Sequence, residues 1–381
     1  MSRIYGELGV RRVINASATL TRLGGSLMPE VAIQAMIEAA DAFVDIEELQ
    51  RRVGERIAGL THNEACYVSC GAAAGITIAT AACITGGDPA LIARLPYIGD
   101  GDCKSEVVVH RAHRNGYDHA ARQTGARLVE IGMAHTTQPW ELEAALGPRT
   151  ACVLYFAGAH YERGSLPLPR VIEIAHARGV PVLVDAAAQI PPISNLWHYT
   201  RDLGADIAIF SGGKGLRGPQ SSGLVLGKRE IVEACRVNGS PTHSVGRPMK
   251  VGKEEMMGLL AAVEWSLKLD EPAVIAGYEA TVQRWLEGLA GIPGVAAERG
   301  YPSEAGQPHA RAIVHLGPPC PLTRDEVVAA LWDQDPRVAV AAVGADAIAL
   351  NPQTLEPGED ELVLGALKRV LASAPAVAAR A

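Results

Sequence analysis

The 381-residue sequence predicts an α/β protein, with a mostly parallel sheet in a large domain and a smaller α/β domain at the C-terminal end. Three observations carry this. From Ala65 to Gly227 short apolar runs alternate with segments of helical periodicity, the pattern of strands joined by crossover helices. Those runs are apolar at nearly every position, as in Val107-Val108-Val109 and Val182-Leu183-Val184, so both faces of the sheet are expected to be covered. Beyond residue 266 a second, shorter mixture of helix-like and strand-like segments follows.

Residues 1–30, rich in Gly, Ser and Thr, read as an irregular arm. Pro29 opens a helical run from Val31 to Phe43, and Ile46, Leu49, Val53, Ile57 and Leu60 recur at helical spacing. Strands are expected at 65–69, 106–110, 127–131, 150–156, 180–185, 206–210 and 224–227, and helices at 72–84, 117–125, 140–146 and 168–178. Residues 229–270 read as helical around a polar break, Asn238-Gly239-Ser240-Pro241-Thr242-His243. Helices at 278–289, 323–332 and 360–371, with strand-like stretches at 312–316 and 337–350, complete the chain. The expected division is therefore an arm over 1–30, a large domain over 31–265 and a small domain over 266–381.

A net charge of −7 and an aromatic content of 4% argue against a basic, stacking surface, so no nucleic-acid partner is expected. No stretch is apolar for long enough to span a bilayer and the N-terminus lacks a signal-peptide core, so no membrane partner and a cytoplasmic location are expected. The seven cysteines form no CxxC pair, which reads as free thiols in a reducing compartment.

Lys214 follows the apolar run 205–210, inside Ser211-Gly212-Gly213-Lys214-Gly215. Its small neighbours leave it little side-chain cover while letting backbone approach closely. Asp185 ends the preceding apolar run. An acid and a lysine at the ends of neighbouring strands are what a pyridoxal phosphate enzyme needs. The amine forms a Schiff base, and the carboxylate keeps the pyridinium nitrogen protonated so that the ring accepts electrons. The turn Cys70-Gly71-Ala72-Ala73-Ala74-Gly75 joins a strand to a helix through residues almost without side chains. It reads either as a tight packing turn or, joined to Asp185 and Lys214, as a phosphate cradle of free N–H groups at Gly71, Ala72 and Ala73. Ser211 would add a hydroxyl to that phosphate.

The polar stretch from His110 to His119 begins where another buried strand ends, so it is expected to face the same crevice as Asp185. His110 or His113 would lie on the cofactor ring or move protons at its face. A rival reading takes His110, His113, Asp118 and His119 as metal ligands, but the spacing matches no zinc pattern and no metal is expected. Arg247 and Lys250 follow a Gly/Pro/His-rich loop and could hold an anionic substrate group or simply start a solvated helix.

With these positions in hand the chain resembles the fold type I pyridoxal phosphate enzymes, of aminotransferase-like fold, in the branch similar to bacterial selenocysteine synthase and its metabolic relatives. The likeness rests on Val13-Ile14-Asn15-Ala16-Ser17-Ala18, Val68-Ser69-Cys70-Gly71-Ala72-Ala73-Ala74, Asp185-Ala186-Ala187-Ala188-Gln189 and Phe210-Ser211-Gly212-Gly213-Lys214-Gly215-Leu216-Arg217-Gly218-Pro219-Gln220. It implies that Lys214 carries the cofactor, that Asp185 meets the ring nitrogen, and that Gly71, Ala72 and Ser211 meet the phosphate. It also implies a homodimer or larger homo-oligomer, with the loop at Thr242 and His243 reaching a neighbouring subunit's site. Asn15, in the first motif, and Arg247 are the candidate substrate contacts. The chain departs from the selenium-transferring enzymes by starting almost at the catalytic domain, by its acidity, and by lacking Arg-Gly-Glu at 110–113. A small-molecule amino acid is thus the expected substrate.

The resemblance favours α,β-elimination on a small 2-amino-3-hydroxy acid, phosphorylated or not, releasing a 2-keto acid and ammonia. Lys214 would be the base at Cα, His113 or His110 would protonate the leaving hydroxyl, and Arg247 would bind the acid or phosphate. Retro-aldol cleavage or racemisation would use the same lysine. A non-catalytic cofactor-binding protein and a histidine-based metal hydrolase are the remote alternatives.

Overall fold

The computed structural model describes residues 3–99 and 103–373. In chain order its strands are β1 (Val13–Asn15), β2 (Ala65–Ser69), β3 (Glu106–His110), β4 (Arg127–Ile131), β5 (Thr150–Phe156), β6 (Val182–Asp185), β7 (Ile207–Ser211), β8 (Gly223–Gly227), β9 (Val295–Gly300), β10 (Arg311–Leu316), β11 (Arg337–Ala339), β12 (Ala341–Val343) and β13 (Ala347–Leu350). The contacts divide the chain into two compact units. One holds Ser26–Leu269 with Ala305–Gln307, and the other holds the chain up to Gly25, Asp270–Glu304 and the chain from Pro308.

The larger unit is built on a seven-stranded sheet of order β2-β8-β7-β6-β5-β3-β4. Neighbours from β7 to β4 pair in parallel, while β8 runs antiparallel to both β7 and β2. Strand alternation sorts the side chains between two helical layers. Val107, Val109, Leu154, Leu183, Ile207 and Ile209 pack with Ile76, Ile78 and Ala79 of the helix Ala72–Thr85. Val108, Val153, Val184, Ala208 and Phe210 pack on the other face with the helices Ile46–Leu60, Leu168–His176 and Lys253–Ser266. Every residue of β2, β3, β5 and β6 is buried, which is why the sequence shows continuous apolar runs there.

The smaller unit holds a four-stranded antiparallel sheet, β12-β13-β10-β9, and the parallel pair β1-β11. Its core gathers Trp285, Val282, Val314, Ile348, Leu331 and Leu367.

Three local expectations are corrected. Residues 1–30 are not wholly irregular, because Val13–Asn15 pairs in parallel with Arg337–Ala339. Three residues are too few to show a period, and the partner strand is distant in sequence. Val295–Gly300 is a strand that the sequence hides, since it pairs with β10 alone and is only half-buried in alternation. Residues 117–125 form a 3-10 turn at Gly116–Asp118 and the four-residue helix His119–Arg122 instead of one helix. All seven cysteines are free, with Cys66, Cys152 and Cys235 buried. Among the described residues no helix is long and apolar enough to cross a membrane.

Candidate active site

The C-terminal edge of the large sheet gathers the chemistry. Gly71 ends the turn after β2 with φ +139°, open space where a side chain would project, and no side-chain cap on the helix that follows. The first acceptor inside that helix is Gly71 O, taken by Gly75 N–H, so the N–H groups of Ala72, Ala73 and Ala74 have no intrahelical partner. Ser69 Oγ donates to Gly71 O at 2.8 Å and fixes the turn from behind. Gly223 of β8 packs against it so closely that a Cβ would lie 2.7 Å from Gly71 C and 2.9 Å from Ala72 N. Ser69, Gly223 and Ser211 are laterally paired across β2, β8 and β7, which brings Ser211 alongside the cradle.

Asp185 is the last residue of β6, 8% exposed, in register with Phe156 and Ile209. It therefore points to the face carrying the helix Ala72–Thr85. Its Oδ1 accepts Ala187 N–H at 2.9 Å. Burial raises the carboxyl pKa above the ordinary value, against the pull of the Ala187 N–H and the Lys214 charge.

Lys214 lies in the connection between β7 and β8, and three glycines around it are required by close approach. A Cβ would meet Ser222 Oγ at 2.1 Å from Gly212, Gln220 Cα at 2.5 Å from Gly213 and Ile190 O at 2.1 Å from Gly215. Ser26 locks the turn, its N–H donating to Gly213 O at 2.9 Å and its hydroxyl to Lys214 O at 2.8 Å.

The two histidine rings pack on each other at 4.7 Å, and both meet Tyr155, but they come from different elements. His110 follows Val109, which pairs with Leu154, so alternation turns its ring to the face opposite Asp185, where it meets Tyr155 at 5.9 Å. The expectation that the stretch from His110 onward faces the Asp185 crevice thus fails for His110, because the strand period sends it to the other layer. His113, in the 3-10 turn beyond, sits at the sheet edge with ring contacts to Phe156 and Tyr161. Both rings are fully buried. His110 Nε2 accepts Leu166 N–H and His113 Nδ1 accepts Phe156 N–H. Each proton is thereby placed on the other ring nitrogen, and those nitrogens have no partner in hydrogen-bonding geometry, although the Tyr161 backbone lies alongside His113. Burial pushes the His110 pKa down to about 4 and that of His113 to about 3, so both are neutral imidazoles at neutral pH. Asp118 is paired with Arg114, and among the described residues no group of three His, Cys, Asp or Glu is placed to hold a metal.

Thr242, His243 and Arg247 lie in the loop after the helix Arg229–Asn238, which packs where Gly246 approaches Asn238 O and Ile78. No described contact joins them to Asp185. Lys250 is exposed. Asn15 belongs to the smaller unit, where its Oδ1 accepts Ser17 N–H and its amide donates to Ala18 O.

Sequence reasoning missed the connection after β5. His160 and Tyr161 stack at 3.9 Å in the turn Ala159–Glu162, and Asp185 is among the charges acting on the Tyr161 phenol. Gln189 donates to Ala305 O at 2.8 Å beside Gly158. The signal was available, since the rule that turned attention to His110 and Asp185 applies equally to the end of β5.

The residues fit pyridoxal phosphate. An open, uncapped N-terminus of a 14-residue helix suits a phosphate, and a buried carboxyl without full compensation suits a pyridinium. A lysine enclosed by glycines on the next strand connection suits the linking amine.

The chain matches the aminotransferase class-V family over residues 103–305, more than half of its length. It is 34% identical over 96% of its length, and 97% of the relative's, to D-glucosaminate-6-phosphate ammonia lyase of Salmonella typhimurium (strain 14028s / SGSC 2262). It is 32% identical over 96% of its length, and 92% of the relative's, to 5'-C-glycyluridine monooxygenase-decarboxylase of a Streptomyces species. A solved structure of D-glucosaminate-6-phosphate ammonia-lyase superposes with a TM-score of 0.84 at 32% identity, covering 98% of this chain and 99% of that one. The chain therefore belongs to the aminotransferase class-V family and is a fold type I pyridoxal phosphate-dependent enzyme.

Proposed function

We propose that this chain is an ammonia-lyase acting on a phosphorylated 2-amino-3-hydroxy acid of the D-glucosaminate 6-phosphate type. The observation that carries it is full-length likeness to an enzyme of that name, with an acid, a lysine and an anion cradle on one sheet edge. The cofactor, when bound, withdraws the electrons released at Cα of the substrate. The remaining work falls to the chain. Gly71, Ala72, Ala73 and Ser211 hold the phosphate, and Asp185 holds the ring nitrogen protonated. Lys214 would hold the cofactor through its amine and would be the base that takes the Cα proton of the bound substrate. Loss of the β-hydroxyl gives an enamine, which tautomerises and hydrolyses to the 2-keto acid and ammonia.

His110 and His113 do not serve as imidazolium acids in this reading, because burial keeps both neutral. A homodimer is also proposed. The helix Glu30–Ala40 buries only Ala32, while Val31, Ile37, Phe43 and Val44 are at least half-exposed, an apolar strip that a second copy would cover.

The test begins with absorption. Wild type should bind pyridoxal phosphate with a visible band, and borohydride should fix the cofactor on the Lys214 peptide. Lys214→Ala should not be labelled. Ammonia and a 2-keto acid should then form from D-glucosaminate 6-phosphate without oxygen uptake. The likeness to a monooxygenase-decarboxylase supports one second reading, which oxygen uptake with release of carbon dioxide would favour.

A further inference from the structure

Elimination of a hydroxyl needs an acid, because hydroxide is a poor leaving group, and neither buried histidine supplies one. Tyr161 stands beside them with a different environment. It lies in the turn Ala159–Glu162 directly after β5, on the edge where Asp185 ends β6. Its ring is held by His160 at 3.9 Å, His113 at 5.5 Å and Phe156 at 5.9 Å.

The hydrogen bonding decides which way the phenol proton points. Asn115 Oδ1 accepts Tyr117 N–H at 2.7 Å, and its amide nitrogen donates to His113 O at 2.9 Å. The Asn115 amide is thus fixed with its second N–H donating to Tyr161 Oη at 3.1 Å. The phenol oxygen is an acceptor in that contact, which leaves its own O–H free to donate, with no acceptor among the described residues. Asp185 acts on the same phenol, and burial followed by that charge raises the Tyr161 pKa, so the proton stays on. Tyr161 is half-buried, so its phenol is not sealed from the solvent side.

We propose that Tyr161 is the catalytic acid, donating its phenol proton to the leaving β-hydroxyl. This rests on the elimination reading above. As Lys214 removes the Cα proton, the Cα–H electron pair becomes the Cα–Cβ π bond. The Cβ–O pair leaves with the oxygen, which takes the phenol proton and departs as water. The phenolate regains its proton from solvent, and the water used in hydrolysing the imine balances the one lost.

The experiment compares leaving groups. Tyr161→Phe keeps the ring packing and removes only the proton. With D-glucosaminate 6-phosphate, kcat should fall by about 10²–10⁴-fold, the usual worth of general acid catalysis. With 3-chloroalanine, whose chloride leaves without a proton, pyruvate formation should match wild type. Cofactor affinity, read by absorbance titration of the apoenzyme, should be unchanged. Equal losses on both substrates, an unchanged rate on the hydroxy acid, or a weakened cofactor would each overturn the role of Tyr161. Wild type that gives pyruvate from 3-chloroalanine but neither ammonia nor keto acid from D-glucosaminate 6-phosphate would instead overturn the elimination reading itself.

Discussion

The cradle can be displaced without touching a residue that meets the cofactor. In Gly223→Ala the new methyl would lie 2.7 Å from Gly71 C, 2.9 Å from Ala72 N and 2.8 Å from Ser69 Oγ. Carbon atoms rest about 3.5–4.0 Å apart, so the turn must retreat by close to 1 Å. Two of the three atoms met belong to backbone and cannot rotate away. An N–H to a charged oxygen contributes about 1.5–3 kcal/mol, so losing one should weaken pyridoxal phosphate binding about 10–100-fold. The overpacking itself should cost about 1–3 kcal/mol of stability. Gly75→Ala is the control, because its methyl would meet Ile209 Cγ2 at 3.0 Å, Val225 Cγ2 at 3.1 Å and Ser69 Oγ at 3.3 Å, all side-chain atoms. It should lose stability while keeping its cofactor Kd within about threefold, under 1 kcal/mol. The assay is absorbance titration of each apoenzyme, with thermal unfolding alongside. Equal Kd values for Gly223→Ala and wild type would refute the assignment of this turn to the phosphate.

Stability should also depend on acidity through the histidine pair. The folded pKa values, lowered to about 4 and about 3 chiefly by burial, lie below the ordinary 6.5, so the unfolded chain binds protons that the folded chain refuses. Glu141 opposes this at His110, and His160 adds to it at His113. Unfolding free energy should fall as pH drops from 6.5 to 4, by about 1.4 kcal/mol per pH unit per histidine. His110→Gln, whose amide oxygen can still accept Leu166 N–H, should flatten this slope in urea unfolding across that range; an unchanged slope would remove His110 from the linkage. At the subunit surface, Phe43→Asp should raise the dimer dissociation constant at least about 100-fold in sedimentation, since two Phe side chains each lose about 1.5–3 kcal/mol of burial. A monomeric wild type would contradict the dimer.

Legibility followed the physics of each feature. The positions of Asp185 and Lys214 could be read because an apolar run closed by an acid, and another followed by a lysine among glycines, are visible in one dimension. The glycines around Lys214 could be read for the same reason, as close approach excludes every other residue type. His110 was misread because the strand-end rule gives the edge and not the face; only its pairing partner, Val109 with Leu154, settles which layer it enters. Val295–Gly300 and Val13–Asn15 escaped because one is a half-exposed edge and the other depends on a partner over 300 residues away. Tyr161 escaped because the strand-end rule marks the connection after β5 but not which residue in it matters; that comes from Asn115, His113 and Asp185 on three other segments.

Two relatives of nearly equal identity carry the names of different reactions, so overall likeness does not select the bond that breaks. The division of labour along the sheet edge suggests what does. The cradle, Asp185 and the lysine turn are backbone-determined: Gly212, Gly213, Gly215 and Gly223 sit where a single added methyl would collide with main chain or a buried hydroxyl, and Gly71 takes a φ of +139° that side chains rarely adopt. In the proposed reading such positions serve the cofactor, which every reaction on this scaffold would share. The connection after β5 is different. Residues 157–163 are half-buried or exposed, His160 and Tyr161 stack on each other, and the phenol is oriented by one amide from Asn115. A substitution there costs little packing and changes which proton is available to a bound substrate. In the proposed reading, selectivity for elimination is accordingly sought in the Asn115–Tyr161 pair, where a substitution can change the proton supply while the cofactor site stays fixed.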